Sequence, residues 1–136
     1  MRVTMLLADA AQEVNGKLYV LGGGWSVTGP GLPPMAIAIK LDVPWSAANE
    51  AHQFVLELVD QDGREVPTGQ EGGVRAEGSF EVGRPVGIPV GGDIDFAFAV
   101  TIPAFPVEAG RYSWRLTIDG DTHEDWVRPF TVRAAG

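Results

Sequence analysis

Along most of this chain apolar and polar residues alternate with a period of two, and the runs are separated by Gly, Pro, Asn and Asp. That period puts successive side chains on opposite faces of an extended strand, whereas recurrence at three and four residues, which a helix needs, is almost absent. The clearest run lies between Ile94 and Ile102, where Ile94, Phe96, Phe98, Val100 and Ile102 share one face against Asp95, Ala97, Ala99 and Thr101. Between Met35 and Val43, Met35, Ile37, Ile39, Leu41 and Val43 alternate in the same way with Ala36, Ala38, Lys40 and Asp42. Further strands are expected over residues 3–11, 17–21, 54–58 and 74–82, with a short return at 64–66. Two closing runs follow, with Tyr112, Trp114, Leu116 and Ile118, then Phe130 and Val132, facing inward.

The breaks between runs carry turn chemistry. Asn15-Gly16 and Asp119-Gly120 suit two-residue hairpin turns, which need positive φ at both positions, and Asp62-Gly63 closes a further reversal. Gly22-Gly23-Gly24 predicts a β-bulge or a close backbone crossing, because no Lys-Ser/Thr follows to make a phosphate cradle. Residues 28–34 predict a loop, since Pro cannot donate to a ladder. Pro44 ends its strand, and residues 46–51 are expected to form one helical turn with Ser46 as N-cap. Gly110 followed by Tyr112 at the start of an alternating strand is the pattern of a tyrosine corner. Together these signals predict one all-β domain over residues 1–136. The expected architecture is a two-sheet antiparallel sandwich of immunoglobulin-like, Greek-key type with about eight strands, a jelly roll or flattened barrel being the alternative.

Composition narrows the function classes. The net charge is −8 and the basic residues are scattered singly from Arg2 to Arg133, so no stripe exists to neutralise nucleic-acid phosphates or an anionic membrane. Cysteine is absent, which removes disulfides and thiolate metal sites and fits a reducing compartment. The apolar run after Met1 is broken at Asp9, too soon for most secretion signals, and no run approaches the roughly eighteen apolar residues of a membrane span. A soluble cytoplasmic protein is the expectation.

Residues 7–12, the stretch from Asn15 to Trp25, and the distal Gly110-Arg111-Tyr112 with Ile118-Asp119-Gly120 resemble a family of short bacterial proteins classed only as a domain of unknown function. The resemblance covers nearly the whole chain. It implies a small isolated β-sandwich in the bacterial cytoplasm, without an assigned activity, cofactor or catalytic residue.

The candidate chemistry is correspondingly sparse. Nucleophilic catalysis requires a nucleophile held by a base, and the sequence offers no Cys, no Gly-x-Ser-x-Gly elbow and only His52 and His123, which are read as structural or solvated. No enzyme activity and no cofactor are expected. Three Asp-x-Asp pairs stand at strand ends: Asp60/Asp62, Asp93/Asp95 and Asp119/Asp121. If each run reverses direction, with residues 64–82 counted as one run, Asp93, Asp95, Asp119 and Asp121 share an end of the sandwich with Asn15 while Asp60 and Asp62 lie at the other; those first four carboxylates are the candidate Ca²⁺ ligands, since hard cations take six to eight oxygens. Trp25 and Trp45, at strand exits, are candidate stacking surfaces for a carbohydrate. The preferred expectation is an interaction module. It would bind an unidentified protein partner or a second copy through an edge strand or a small-residue outer face such as Ala36/Ala38 or Ala97/Ala99.

Overall fold

The computed structural model describes residues 1–66 and 73–135. Within them the alternating runs form nine strands and no α-helix: β1 (Arg2–Val14), β2 (Lys17–Gly23), β3 (Val27–Thr28), β4 (Met35–Val43), β5 (Ala51–Asp60), β6 (Arg75–Glu81), β7 (Ile94–Ile102), β8 (Gly110–Ile118) and β9 (Val127–Val132). They build two open sheets, ordered β2-β1-β4-β7 and β3-β9-β8-β5-β6. All pairings are antiparallel except the short β3–β9 ladder. Most of the connection expected between Val66 and Val74 lies outside the described residues. No helix among the described residues is long and apolar enough to cross a membrane.

The period-two pattern produces this directly. Met35, Ile37, Ile39, Leu41 and Val43 of β4, Met5 and Leu7 of β1, and Ile94 and Ile102 of β7 meet Leu56, Leu58, Trp114, Leu116, Ile118, Phe130 and Val132 of the opposite sheet in one core. Trp114 is fully buried and its indole N–H has no hydrogen-bond partner, so the ring's burial outweighs an unsatisfied donor. On the side where β7 faces β5 and β6 the core is aromatic: Phe80 stacks on Phe96 at 5.0 Å, and Phe54 lies 4.8 Å from Phe98. β7 is an edge strand, so Phe96, Phe98 and Val100 of its apolar face are half-buried instead of fully enclosed.

Both hairpin turns form as their chemistry requires. Asn15 and Gly16 have φ of 52° and 79°, Asp119 and Gly120 of 52° and 82°, a pair of left-handed residues in each turn. The first turn sets the β1–β2 register, Val14 against Lys17, Gln12 against Tyr19 and Ala10 against Leu21. β4 pairs with β1 only from Arg2 to Ala8, so beyond Ala8 the β1–β2 hairpin continues as a two-stranded ribbon. The tyrosine corner is present: the Tyr112 hydroxyl donates to the Glu108 carbonyl at 2.6 Å and ties the β7–β8 connection to the start of β8.

Three expectations are corrected. Residues 46–51 do not form a helical turn capped by Ser46; a single 3-10 turn, Trp45–Ala47, follows Pro44 without a side-chain cap, and β5 already begins at Ala51. Gly22 marks no bulge, because the register Ala8↔Gly23, Ala10↔Leu21 inserts no residue; it adopts φ of 60° where a Cβ would collide with the Asp9 carboxylate. The short return at 64–66 does form, as an isolated antiparallel bridge between Val59 and Glu65 with the Asp60 amide donating to the Arg64 carbonyl at 2.9 Å. After Asp121 the chain leaves the ladder for a 3-10 turn, Glu124–Trp126, which carries Trp126 into the core, so β9 pairs with β8 only from Val127 onward.

Tyr112→Phe keeps the ring and deletes one hydrogen bond. It is expected to lower unfolding free energy by about 1 kcal/mol, read as a shift of the urea midpoint at unchanged m-value.

Candidate functional site

The acidic residues were the first candidates, and the strand directions decide how they can combine. The starts of β1, β5 and β7 and the ends of β4 and β8 lie at one end of the sandwich, as their antiparallel registers and the short connection of residues 44–50 from β4 to β5 require. Asp93, Asp95, Asp119 and Asp121 therefore do share an end, and Asp60 and Asp62 lie at the other. Asn15 lies with Asp60 and not, as expected, with the first four. The reason is β3, which crosses to the second sheet between β2 and β4 and leaves β4 running in the same direction as β2.

Sharing an end does not make the four carboxylates converge. Asp93 and Asp95 precede and open β7 in one sheet, whereas Asp119 and Asp121 sit in the turn after β8 in the other. Asp95 pairs with Lys40 at 2.7 Å; Lys40 also bonds Asp42, which takes the Arg2 guanidinium at 2.8 Å. Asp42 is 7% exposed, and its hydrogen bonds from Lys40 and Arg2 hold its carboxyl below the usual carboxylate range despite burial. Asp119 is engaged by His52. No three His, Asp or Glu side chains among the described residues come together as a metal site. Of the expected Ca²⁺ set, Asp95 thus belongs to a surface ion network and Asp119 to a clamp.

The clamp is built from the β8–β9 turn and the start of β5. The left-handed φ of Asp119 turns its carboxylate back over β5, where Oδ1 accepts from the Gln53 amide at 2.9 Å and Oδ2 lies 2.6 Å from His52 Nδ1. The Asp119 amide in turn donates to the Gln53 carbonyl. His52 is 4% exposed, stacks on Phe80 at 5.2 Å, and its Nε2 donates to the Ala47 carbonyl at 2.7 Å. With an ionised carboxylate on one side and a carbonyl on the other, the ring must donate from both nitrogens, so it is held as the imidazolium. Burial pulls the His52 pKa down, but the hydrogen bonds to Asp119 and Ala47 and the charges of Asp119 and Glu50 outweigh it, and the net shift is upward from 6.5. The His52 hydrogen bond, with that of Gln53, moves Asp119 downward. An imidazolium with both N–H groups engaged has no lone pair to act as a base, so the geometry supports a fastening role. His123, on the surface, lies against the Trp126 ring at 4.6 Å.

The candidate stacking tryptophans are also engaged. Trp25 meets Phe130 edge to face at 6.3 Å and its N–H is buried, and Arg84 covers the Trp45 ring at 4.5 Å while donating to the Trp45 carbonyl.

The outer face of the β2-β1-β4-β7 sheet is different. Registers place Ala38 between Leu6 and Ala99, Ala36 between Ala8 and Thr101, and Lys40 between Thr4 and Ala97, so the two alanine pairs expected as alternative contact faces form one floor. The ribbon extends that floor with Ala10, Gln12, Val14, Tyr19 and Leu21. Ala8, Ala36, Ala38 and Ala97 are buried among their neighbours, while Leu6, Val14, Tyr19 and Leu21 stand 38%, 41%, 54% and 72% exposed on the same face. Ala10, Ala11, Gln12, Tyr19 and Leu21 line a shallow recess of about 240 Å³. The Arg2–Asp42–Lys40–Asp95 network bounds the face at its far end. Sequence reasoning found the alanines but missed the ribbon. The signal was the Asn15-Gly16 turn, whose two-residue geometry fixes every cross-strand pair from Val14 and Lys17 outward.

Asn tolerates the left-handed turn conformation, so Asp119→Asn removes the clamp's charge and spares its backbone. Because the His52 pKa is raised, its pairing stabilises the fold fully below 6.5 and the contribution fades as pH rises through the folded value; the lowered Asp119 value makes the contribution fade again as pH falls below 3.8. Urea midpoints of wild type and Asp119→Asn should differ most between those limits and draw together as pH rises past the His52 titration, which an NMR titration of the ring locates.

No curated protein and no solved structure matches the chain. The family comparison does: over residues 3–133 the sequence fits the family described as "Family of unknown function (DUF6941)". Nearly the entire sandwich, from β1 to the end of β9, falls within that match, and the chain belongs to this family of unknown function.

Proposed function

We propose that the protein is a non-enzymatic protein-interaction module of the bacterial cytoplasm that binds through the outer face of the β2-β1-β4-β7 sheet and its protruding ribbon. One observation carries the reading: Leu6, Val14, Tyr19 and Leu21, four of the exposed large apolar side chains, stand together on that face around an alanine floor. Scattered exposed apolar residues are ordinary, but a contiguous group rimmed by charge is what a protein contact uses. A small-residue floor lets a partner approach closely, and Tyr19 offers a large rigid side chain of the type that anchors interfaces. Three cations, Arg2, Lys17 and Lys40, face two carboxylates, Asp42 and Asp95, at positions on this side, in a chain of net charge −8. The face therefore carries none of the chain's net negative charge, which lessens the repulsion a second acidic protein meets there.

The strand order also supports an immunoglobulin-like reading. β9, β8, β5 and β6 follow one another in one sheet, β1, β4 and β7 in the other, and a short strand, β3, crosses between sheets to run parallel to β9. Such a scaffold presents edges and loops without supplying chemistry of its own.

Tyr19→Lys and Leu21→Lys change exposed side chains, so each should alter unfolding free energy by no more than about 0.5 kcal/mol. In cross-linking and mass spectrometry from the native cytoplasm, the proteins joined to wild type through this face should be lost from both variants. Unchanged cross-links would remove the reading.

A further inference from the structure

We infer that the ribbon's free edge pairs with a second copy of this chain, β2 against β2 across a two-fold axis at Tyr19, joining the two four-stranded sheets into one. The inference rests on the reading of the outer face and its ribbon as a contact surface and names a second copy as what meets the ribbon's edge.

Exposed edge strands invite pairing, and folded proteins blunt them with short length, charge, proline or a cover. Among the described residues the two sheets end in four edge strands, and three of these are short or carry carboxylates. β3 is two residues long; β6 carries Arg75, Glu77 and Glu81, with Arg75 and Glu77 paired at 2.9 Å; β7 carries Asp95 and follows Asp93. β2 has none of these devices over Leu18, Tyr19, Val20 and Leu21. Its one charge is Lys17, at the hairpin turn, and the nearby carboxylates of Asp9 and Glu13 sit one strand back on β1. Two molecules of net charge −8 thus meet along a strand without a carboxylate of its own. The pairing segment also lies wholly in the ribbon beyond the pairing of β1 with β4, clear of the body of the sandwich.

The backbone sets the register. The two-residue turn makes Val14 and Lys17 a hydrogen-bonded pair, and alternation then does the same for Gln12 with Tyr19 and Ala10 with Leu21. The amide and carbonyl groups of Leu18 and Val20 therefore point away from β1, to the free edge. Gly22, at φ of 60°, ends the extended run, which leaves residues 17–21 to pair. About a two-fold axis at Tyr19, Leu18 meets the partner's Val20 in hydrogen-bonded pairs and Lys17 meets the partner's Leu21. The two Tyr19 rings meet in a non-hydrogen-bonded pair, where side chains approach most closely. Each copy uses the same patch, as a closed two-fold dimer requires.

The test combines mass with geometry. Size-exclusion chromatography with light scattering should give wild type the mass of two chains. Val20→Pro removes a donor that serves only the free edge, leaves the ladder to β1 in place, and should give one chain. The protein has no cysteine, so Tyr19→Cys supplies a single thiol whose partner Cα would lie about 4.5 Å away, and mild oxidation should cross-link it to a dimer while Leu6→Cys stays uncrosslinked. A wild type of one-chain mass at high concentration, or a Val20→Pro variant that remains dimeric, overturns the inference. If wild type is a monomer yet Leu21→Lys still loses its cross-linked partners, the contact-surface reading stands and only the identity of its occupant falls.

Discussion

Burial of β4 on both of its sides is the constraint from which the rest follows. It is the strand that pairs with both β1 and β7 across its length, and from Met35 to Ile39 no side chain is more than slightly exposed. Its inward residues are large because they meet the second sheet; its outward residues at 36 and 38 are alanines, enclosed by the neighbours that rise around them. A strand buried on both sides admits no register slip, because moving by one residue would drive Ile37 and Ile39 outward and the alanines into the core. The positions of β1 and β7, and with them the outer face, are measured from β4.

The two sheets are fastened differently at their two ends. At the end where β5 starts, the His52–Asp119 pair ties the β8–β9 turn to β5 and the Trp45–Ala47 turn, beside the aromatic stack of Phe80, Phe96 and Phe98. At the other end Tyr112 ties the strand to its own entry loop. Acidity at the first end is accounted for at Asp119 and Asp95 by cationic partners. Leu6, Val14, Tyr19 and Leu21 stand exposed together on the outer face and the ribbon, while Val27, Val86 and Val90 stand exposed singly elsewhere.

The sequence determined the strands, the turns and the inward faces, because each is a local matter: a period of two, a pair of residues able to take positive φ, a proline that stops a ladder. Tyr112, Trp114, Leu116 and Ile118 needed no tertiary information to be placed in the core, nor did the Asn15-Gly16 hairpin. Family membership, too, was legible from residues 7–25 and 110–120, and the match over residues 3–133 agrees. What local pattern could not supply was partnership. Only the fold shows that Asp119 belongs to His52, 67 residues away, that Ala38 lies beside Ala99, and that Trp126 enters the core through a break in its ladder. The end shared by the acidic turns depended on one two-residue strand, β3, that crosses between sheets; its sequence is too short to carry a period, so the direction of every later strand relative to β1 was decided by long-range pairing and not by anything written locally.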